Sequence, residues 1–113
     1  MDCLFCKIAA GEIPSQKVYE DEDVLAFSDI SPVAPLHVLI IPKKHIESLA
    51  ALSDDDSLLA SKMLFCARDI AREKGFAEDG YRVVTNCGAR AGQSVKHIHL
   101  HLLAGRDFEW PPG

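Results

Sequence analysis

The most regular pattern of polar and apolar positions lies near the carboxyl end, where histidines alternate with aliphatic residues. Residues 97–103 have the sequence His-Ile-His-Leu-His-Leu-Leu. Successive side chains of a β-strand point to opposite faces, so this alternation predicts a strand. His97, His99 and His101 would share one face at intervals of about 6.6 Å, given a rise of about 3.3 Å per residue. The aliphatic residues between them would face the core.

Apolar runs elsewhere predict the remaining elements. These are a short helix at residues 3–10, a hairpin at 18–20 and 24–28, strands at 37–41 and 81–85, and a long helix at 53–74. The long helix is indicated by an apolar stripe with helical spacing and by Ser53 with three aspartates after it, which is typical of a helix start. The order of elements predicts an α+β fold with an antiparallel sheet of about five strands.

Composition narrows the class of protein. With 113 residues, the chain is expected to form a single domain over residues 1–113. A net charge of −5 argues against polymeric nucleic acid as a partner. No apolar segment approaches the length of about 20 residues that spans a bilayer, and the amino terminus does not resemble a signal peptide. We therefore expect a cytoplasmic protein without a membrane partner.

A glycine-bearing loop directly precedes the histidines. Gly92 allows backbone N–H groups to approach a phosphate closely, Gln93 follows it, and Ser94 adds a hydroxyl. Alone, this segment is more simply an ordinary turn. A row of imidazoles after it can bind phosphate, bind a metal or supply a nucleophile. Basic residues near it in sequence that could add positive charge are Lys43, Lys44, Arg90, Lys96 and Arg106.

Residues 93–103 resemble the signature of the histidine triad family of nucleotide hydrolases and transferases. Residues 27–32, 41–46 and 81–86 match further segments of that family in the same order, and residues 105–113 are similar to its Hint branch, the purine nucleoside phosphoramidases. The resemblance implies an antiparallel sheet with flanking helices, paired into a two-fold dimer. It also implies that the substrate is a purine nucleotide or nucleoside phosphoramidate.

The resemblance also implies catalytic roles. His99 would attack the α-phosphorus and form a nucleotidyl-histidine, which water then hydrolyses. His97 would orient His99 and assist proton transfer, while His101 and Ser94 would hold the phosphate oxygens. His37 would support the triad from a neighbouring strand. This chemistry requires no metal.

Nucleotide-binding residues follow from the same resemblance. Asp29 would accept hydrogen bonds from the ribose hydroxyls, Ile30 would pack on the base, and Asn86 would lie near the ribose and phosphate. Trp110 would reach the partner's site in the dimer, although dimer packing alone explains it equally well. The other expected nucleotide contacts are Gly92, Gln93, Ser94, His99 and His101.

A second candidate site begins at the Cys3-Leu4-Phe5-Cys6 segment. A structural zinc ion needs about four ligands, and one Cys-x-x-Cys pair supplies two. Some bacterial members of the family bind zinc through two such cysteines and two histidines, here His45 and His97. The alternatives are a reduced thiol pair or a redox pair, and the βαβ context of the redox motif is missing.

Three other functions compete with the phosphoramidase. A dinucleoside polyphosphate hydrolase of the same superfamily is disfavoured by the short ending Trp-Pro-Pro-Gly. A nucleotide-binding adaptor with little catalysis would not need both His99 and Ser94. A metal-dependent hydrolase would need an acidic base close to the histidines, which this segment lacks.

Overall fold

The computed structural model describes residues 3–113 and shows a five-stranded antiparallel sheet in the order β1-β2-β3-β5-β4. The strands are β1 (Lys17–Glu20), β2 (Val24–Ser28), β3 (Leu36–Pro42), β4 (Tyr81–Val84) and β5 (Leu100–Ala104). The predicted α+β class and antiparallel sheet are confirmed.

Two α-helices flank the sheet: α1 (Leu4–Ala9) and α2 (Ser57–Glu73). Cys3 caps α1, since its Sγ accepts a hydrogen bond from the backbone N–H of Cys6 at 3.3 Å. A 3₁₀ turn at Asp54–Asp56 precedes α2, and the Ser53 N–H donates to the Asp56 carboxylate at 3.0 Å. Within residues 3–113, no helix has the length and apolar character needed to cross a membrane.

Each face of the sheet packs against a different helix. Val38, Ile40 and Leu102 pack with the apolar stripe of α2, as the helical spacing predicts. Leu39 packs on the opposite face with Phe5 of α1. Because side chains alternate along β3 and β5, His37 and His101 lie on the α1 side.

The strand predicted at residues 97–103 is shorter than expected. Ile98, Leu100 and Leu102 are buried in the core, as predicted, but β5 begins only at Leu100. His97 and His99 precede it, because the backbone N–H of Ile98 leaves the sheet and donates to the Ile46 carbonyl at 2.7 Å. The prediction of one continuous strand through all three histidines is therefore wrong, since only His101 lies in β5, although the rings of His97, His99 and His101 do lie on the same side of the sheet.

Candidate functional site

Six aromatic rings form a continuous row on the α1 side of the sheet. Their order is His37, His101, His99, Phe5, His97, His45, and neighbouring ring centroids lie 5.1 to 6.0 Å apart. His37, His97 and His99 are at most 7% exposed. Buried imidazoles need hydrogen-bond partners, so the partners identify the role of each nitrogen.

His99 has its ring fixed by the backbone. Its Nδ1 lies 2.8 Å from the carbonyl oxygen of His97. A carbonyl only accepts, so Nδ1 bears the proton, and in the neutral ring Nε2 retains the lone pair. Thr85 donates its hydroxyl to the His99 carbonyl at 2.8 Å, one residue beyond the end of β4. Nε2 of His99 has no hydrogen-bond partner among residues 3–113, so it is available as a nucleophile.

His37 and His101 have the complementary arrangement. The backbone N–H of Val33 donates to Nδ1 of His37 at 3.1 Å, so the proton of the neutral His37 ring is on Nε2. That Nε2 lies 2.9 Å from Nδ1 of His101 and 3.4 Å from the Asp29 carboxylate. Nδ1 of His101 therefore accepts, and its Nε2–H remains as a donor. The site thus offers a lone pair on His99 and an N–H on His101.

Burial keeps both supporting rings neutral. Removal from water, together with the neighbouring His99 and His37 and against the opposing effect of Asp29, lowers the pKa of His101 to about 4. Burial also lowers the pKa of His37, again against Asp29. Near pH 7 both rings are therefore uncharged, as the hydrogen-bond assignment requires.

Both ring nitrogens of His97 contact groups other than His99. Its Nε2 donates to the Pro42 carbonyl at 2.8 Å, which leaves a lone pair on Nδ1. Burial lowers the pKa of this ring as well. His97 contacts the His99 ring through its backbone carbonyl rather than through its imidazole, so the orienting role expected of His97 falls to that carbonyl.

The Nδ1 atom of His97 faces three other potential metal ligands. It lies 3.3 Å from Sγ of Cys3 and 3.2 Å from Nδ1 of His45, and Sγ of Cys6 lies 3.3 Å from the same His45 atom. All four ligand atoms lie within 4.8 Å of one another. A tetrahedral zinc ion places S and N ligands about 3.5 Å apart and two N ligands about 3.4 Å apart. The predicted ligands thus converge, and their spacing fits zinc.

A second group, Asp29, His37 and His101, is equally compact. Its geometry is explained by the hydrogen bonds described above. Because Nε2 of His37 bears a proton, it cannot also bind a cation.

An apolar cavity of about 690 Å³ is lined in part by Phe5, whose ring packs edge-on against His99 with the ring centroids 5.1 Å apart. It is lined by Leu4, Phe5, Ile8, Ile13, Pro14, Ser15, Gln16, Phe27, Ser28, Asp29, Ile30 and Leu39. The predicted ligand residues Asp29 and Ile30 are at its edge, and Ile30 is 99% exposed. The sequence interpretation missed the apolar wall. Phe5 and Ile8, three positions apart on α1, were the available signal.

The loop before the histidines is fixed by Gln93. Its carboxamide donates to the carbonyls of Glu47 and Val95, at 2.7 and 3.0 Å, and accepts from the Gly88 N–H at 2.9 Å. Gly92 adopts a left-handed conformation, with φ of 87°. The Gln93 side chain therefore shapes the loop, and both of its N–H groups donate to backbone carbonyls of the chain.

Ser94 and Asn86 lie on either side of that loop. Ser94 is exposed and lines a second cavity of about 580 Å³, together with Cys3, His45 and Lys96. Asn86 is half-buried and follows β4. Their roles toward a ligand remain predictions.

Two of the basic residues expected near the histidines form ion pairs elsewhere. Lys43 pairs with Glu20 at 2.7 Å, and Lys44 with Asp56 at 2.8 Å, so neither joins a basic cluster around the histidines. Arg106 donates to the Val33 carbonyl. Trp110 is 82% exposed on the carboxyl-terminal tail.

Comparison with known proteins places this site in context. Residues 10–108 match the HIT domain family. A HIT family hydrolase from Legionella pneumophila superposes with a TM-score of 0.98 at 55% identity, over 99% of this chain and 100% of that one. The 14 kDa zinc-binding protein of Zea mays is 51% identical over 97% of this chain and 87% of its own length. A histidine triad nucleotide-binding protein from Candida albicans superposes with a TM-score of 0.86 at 37% identity, over 99% and 85% of the two chains.

Because the imidazole of His101 is neutral when buried, we expect the free energy of unfolding to fall in mild acid. The pKa of His101 is about 4 in the folded chain and about 6.5 when the ring is exposed. Between these values the unfolded chain binds more protons, so the free energy of unfolding falls as the pH is lowered from 6.5 to 4. We expect urea denaturation at several pH values to show this decline, and His101→Gln to show a shallower one. An equal slope in both proteins would contradict the assignment.

Proposed function

The chain belongs to the HIT domain family, and we propose that within it this protein is a purine nucleoside phosphoramidase. In this proposal it hydrolyses the P–N bond of AMP-amine-type phosphoramidates through a nucleotidyl-histidine. The observation that supports the proposal most directly is the pairing of a free lone pair on His99 with an N–H donor on the adjacent His101.

The first chemical step uses both groups. Nε2 of His99 attacks the α-phosphorus, the Nε2–P bond forms, and the P–N bond to the amine breaks. The amine nitrogen takes up one proton from solvent, for which the Ser94 hydroxyl is the proposed relay, and leaves as the neutral amine, while the His99 ring of the adduct carries a positive charge. The Nε2–H of His101 donates to a phosphate oxygen as negative charge develops there. The Nδ1–H of His99 remains hydrogen-bonded to the His97 carbonyl throughout this step. The imidazole ring that forms the adduct therefore keeps its orientation.

Water completes the reaction. It attacks the phosphorus of the adduct, the P–Nε2 bond breaks, and the products are a nucleoside monophosphate, the neutral His99 ring and one proton, which returns to solvent and balances the proton taken up by the amine. No step needs a metal ion. Neutral imidazole is a good leaving group from the phosphorus of the adduct, which is why splitting the hydrolysis into two displacements accelerates it.

The apolar cavity is the proposed nucleoside site. Its aliphatic and aromatic lining suits a purine ring, and Ile30 would cover the exposed face of the base. One Asp29 oxygen accepts from the Ser31 N–H at 2.7 Å, which orients the carboxylate so that the ribose hydroxyls can donate to it. The phosphate would then meet Asn86 and the backbone of Gly92, Gln93 and Ser94.

Replacement of the nucleophile tests the activity. His99→Ala should lower kcat for an adenosine 5′-phosphoramidate by more than about 10³-fold at neutral pH with a chelator present. The variant should still bind AMP, which serves as the control for an intact pocket. Turnover retained by His99→Ala would show that another group is the nucleophile. An inactive wild type that binds AMP would instead favour the adaptor.

We propose that the Cys3, Cys6, His45 and His97 cluster binds a structural zinc ion. The donor set, the spacing and the Nε2–H of His97 on the Pro42 carbonyl all support zinc, since metal-bound histidines usually donate their second nitrogen to such a group. The name of the maize relative agrees with it. Zinc would cross-link α1 to the sheet and so hold Phe5 against His99. Thiolate ligands also favour a reducing compartment, so we propose the cytoplasm.

Metal analysis of cysteine variants tests this site. Protein expressed with ample zinc should contain about one equivalent per chain, and Cys6→Ser should contain far less and melt at a lower temperature. Cys87→Ser is the matched control, because Cys87 lies outside the cluster, and it should retain the metal. Wild-type protein with less than half an equivalent, by elemental analysis, would rule the site out.

We also propose that residues 1–113 act as one HIT domain in a two-fold homodimer. β4 is an edge strand, and Tyr81 and Val83 on it are 38% and 36% exposed. An exposed apolar edge offers unpaired backbone groups to another strand. The adjacent tail presents Trp110, which would reach the partner's site. Light scattering at micromolar concentration should give about twice the mass of 12.4 kDa, and a monomeric mass would contradict the dimer.

A further inference from the structure

The turn after β5 returns the chain to the loop that precedes β3. Nε of Arg106 donates to the carbonyl of Val33 at 2.8 Å. Gly105, with φ of 97°, packs so closely that a Cβ there would lie 2.8 Å from Cβ of Pro35. The turn and the loop are therefore in direct contact.

The same Val33 residue also holds the triad's supporting histidine. Its backbone N–H donates to Nδ1 of His37 at 3.1 Å. The Val33 side chain is 58% exposed, so its own packing contributes little to holding the residue in place. The Arg106 hydrogen bond is the long-range contact that anchors the Val33 backbone.

The Val33 N–H sets the direction of the hydrogen bonds beyond it, in the same sense as the Asp29 carboxylate, which lies 3.4 Å from Nε2 of His37. While Nδ1 of His37 accepts, Nε2–H of His37 donates to His101, and His101 offers Nε2–H. If Val33 moved away, Nδ1 of His37 would be free to take the proton. His101 would then have to donate from Nδ1, and its Nε2 would present a lone pair where a phosphate oxygen is expected.

We propose that Arg106 is a positioning residue that, through Val33, keeps His37 and His101 in the tautomers that make His101 a donor. Its effect on turnover rests on the phosphoramidase function proposed above, whereas its effect on the tautomers does not. The assignment gives Arg106 a role different from the phosphate-binding one suggested by its place in the sequence.

Arg82 provides a matched control. The Phe108 ring lies between the two guanidinium groups, 4.4 Å from that of Arg106 and 5.2 Å from that of Arg82. Arg82 also donates to the Glu109 carbonyl at 3.0 Å. Loss of either arginine loosens the tail, but only Arg106 contacts Val33.

The experiment measures the tautomers directly, in the protein without substrate. Protein labelled with ¹⁵N-histidine contains five imidazoles, whose nitrogen shifts distinguish a protonated from an unprotonated ring nitrogen. We expect Arg106→Ala to shift the His37 and His101 signals toward the other tautomers. Gly105→Ala, which forces the turn away from Pro35, should shift them in the same direction. Arg82→Ala should leave them as in the wild type.

Steady-state kinetics provide the second measurement. Arg106→Ala should lower kcat by about fivefold with little change in KM, because one hydrogen bond that positions a donor is weakened while the nucleoside site is intact. Unchanged histidine signals in Arg106→Ala would overturn the proposal. Equal shifts in Arg82→Ala would overturn it too, since the effect would then come from the tail. If the wild type lacked phosphoramidase activity, the proposed function would be wrong. The role of Arg106 would then be decided by the histidine nitrogen shifts alone.

Discussion

Hydrogen bonds between buried imidazoles and single backbone groups are the constraint on which this site depends. Val33 donates to His37, His99 donates to the His97 carbonyl, and His97 donates to the Pro42 carbonyl. A buried polar nitrogen without a partner is costly, so each ring is confined to one orientation and one tautomer. Chemically identical side chains thereby present different groups: a lone pair on Nε2 of His99, an N–H on Nε2 of His101 and a lone pair on Nδ1 of His97.

His97 connects two centres that the sequence presents as separate. Its carbonyl holds the nucleophile, and its ring belongs to the proposed zinc cluster. Phe5 packs edge-on against both His97 and His99, from a helix capped by Cys3. Displacement of α1 would therefore disturb the cavity wall and the nucleophile together. A metal ion bound at the cluster, as proposed, would therefore help to hold the His99 ring in place without contacting it.

Alternation and helical spacing predicted most of the fold. The hairpin, β3 and the stripe of α2 all follow from which residues must be buried, and burial is what the pattern of apolar residues records. The extent of β5 was overestimated, because the alternation continues through His97 and His99 although the sheet pairing does not. Whether a neighbouring strand is present to pair is a tertiary fact that a local pattern does not contain.

The sequence identified residues that the structure brings together, but it did not predict most of the contacts between them. Cys3, Cys6, His45 and His97 converge as the resemblance to the family implied. Nothing in the sequence around Lys43 and Lys44 predicts that they form ion pairs away from the histidines. The same is true of the hydrogen bond from Arg106 to the Val33 carbonyl. These contacts join residues distant in sequence, and they depend on how loops pack after the sheet has formed.

The proposed mechanism depends on a covalent nucleotidyl-histidine, and trapping this intermediate tests the mechanism directly. Wild-type protein would be mixed with an adenosine 5′-phosphoramidate, quenched in alkali during the first turnovers, digested and analysed by mass spectrometry. The proposed mechanism predicts an AMP adduct on the peptide that contains His99, attached at Nε2 of that residue. Continued turnover without any adduct, or an adduct on His101, would contradict it.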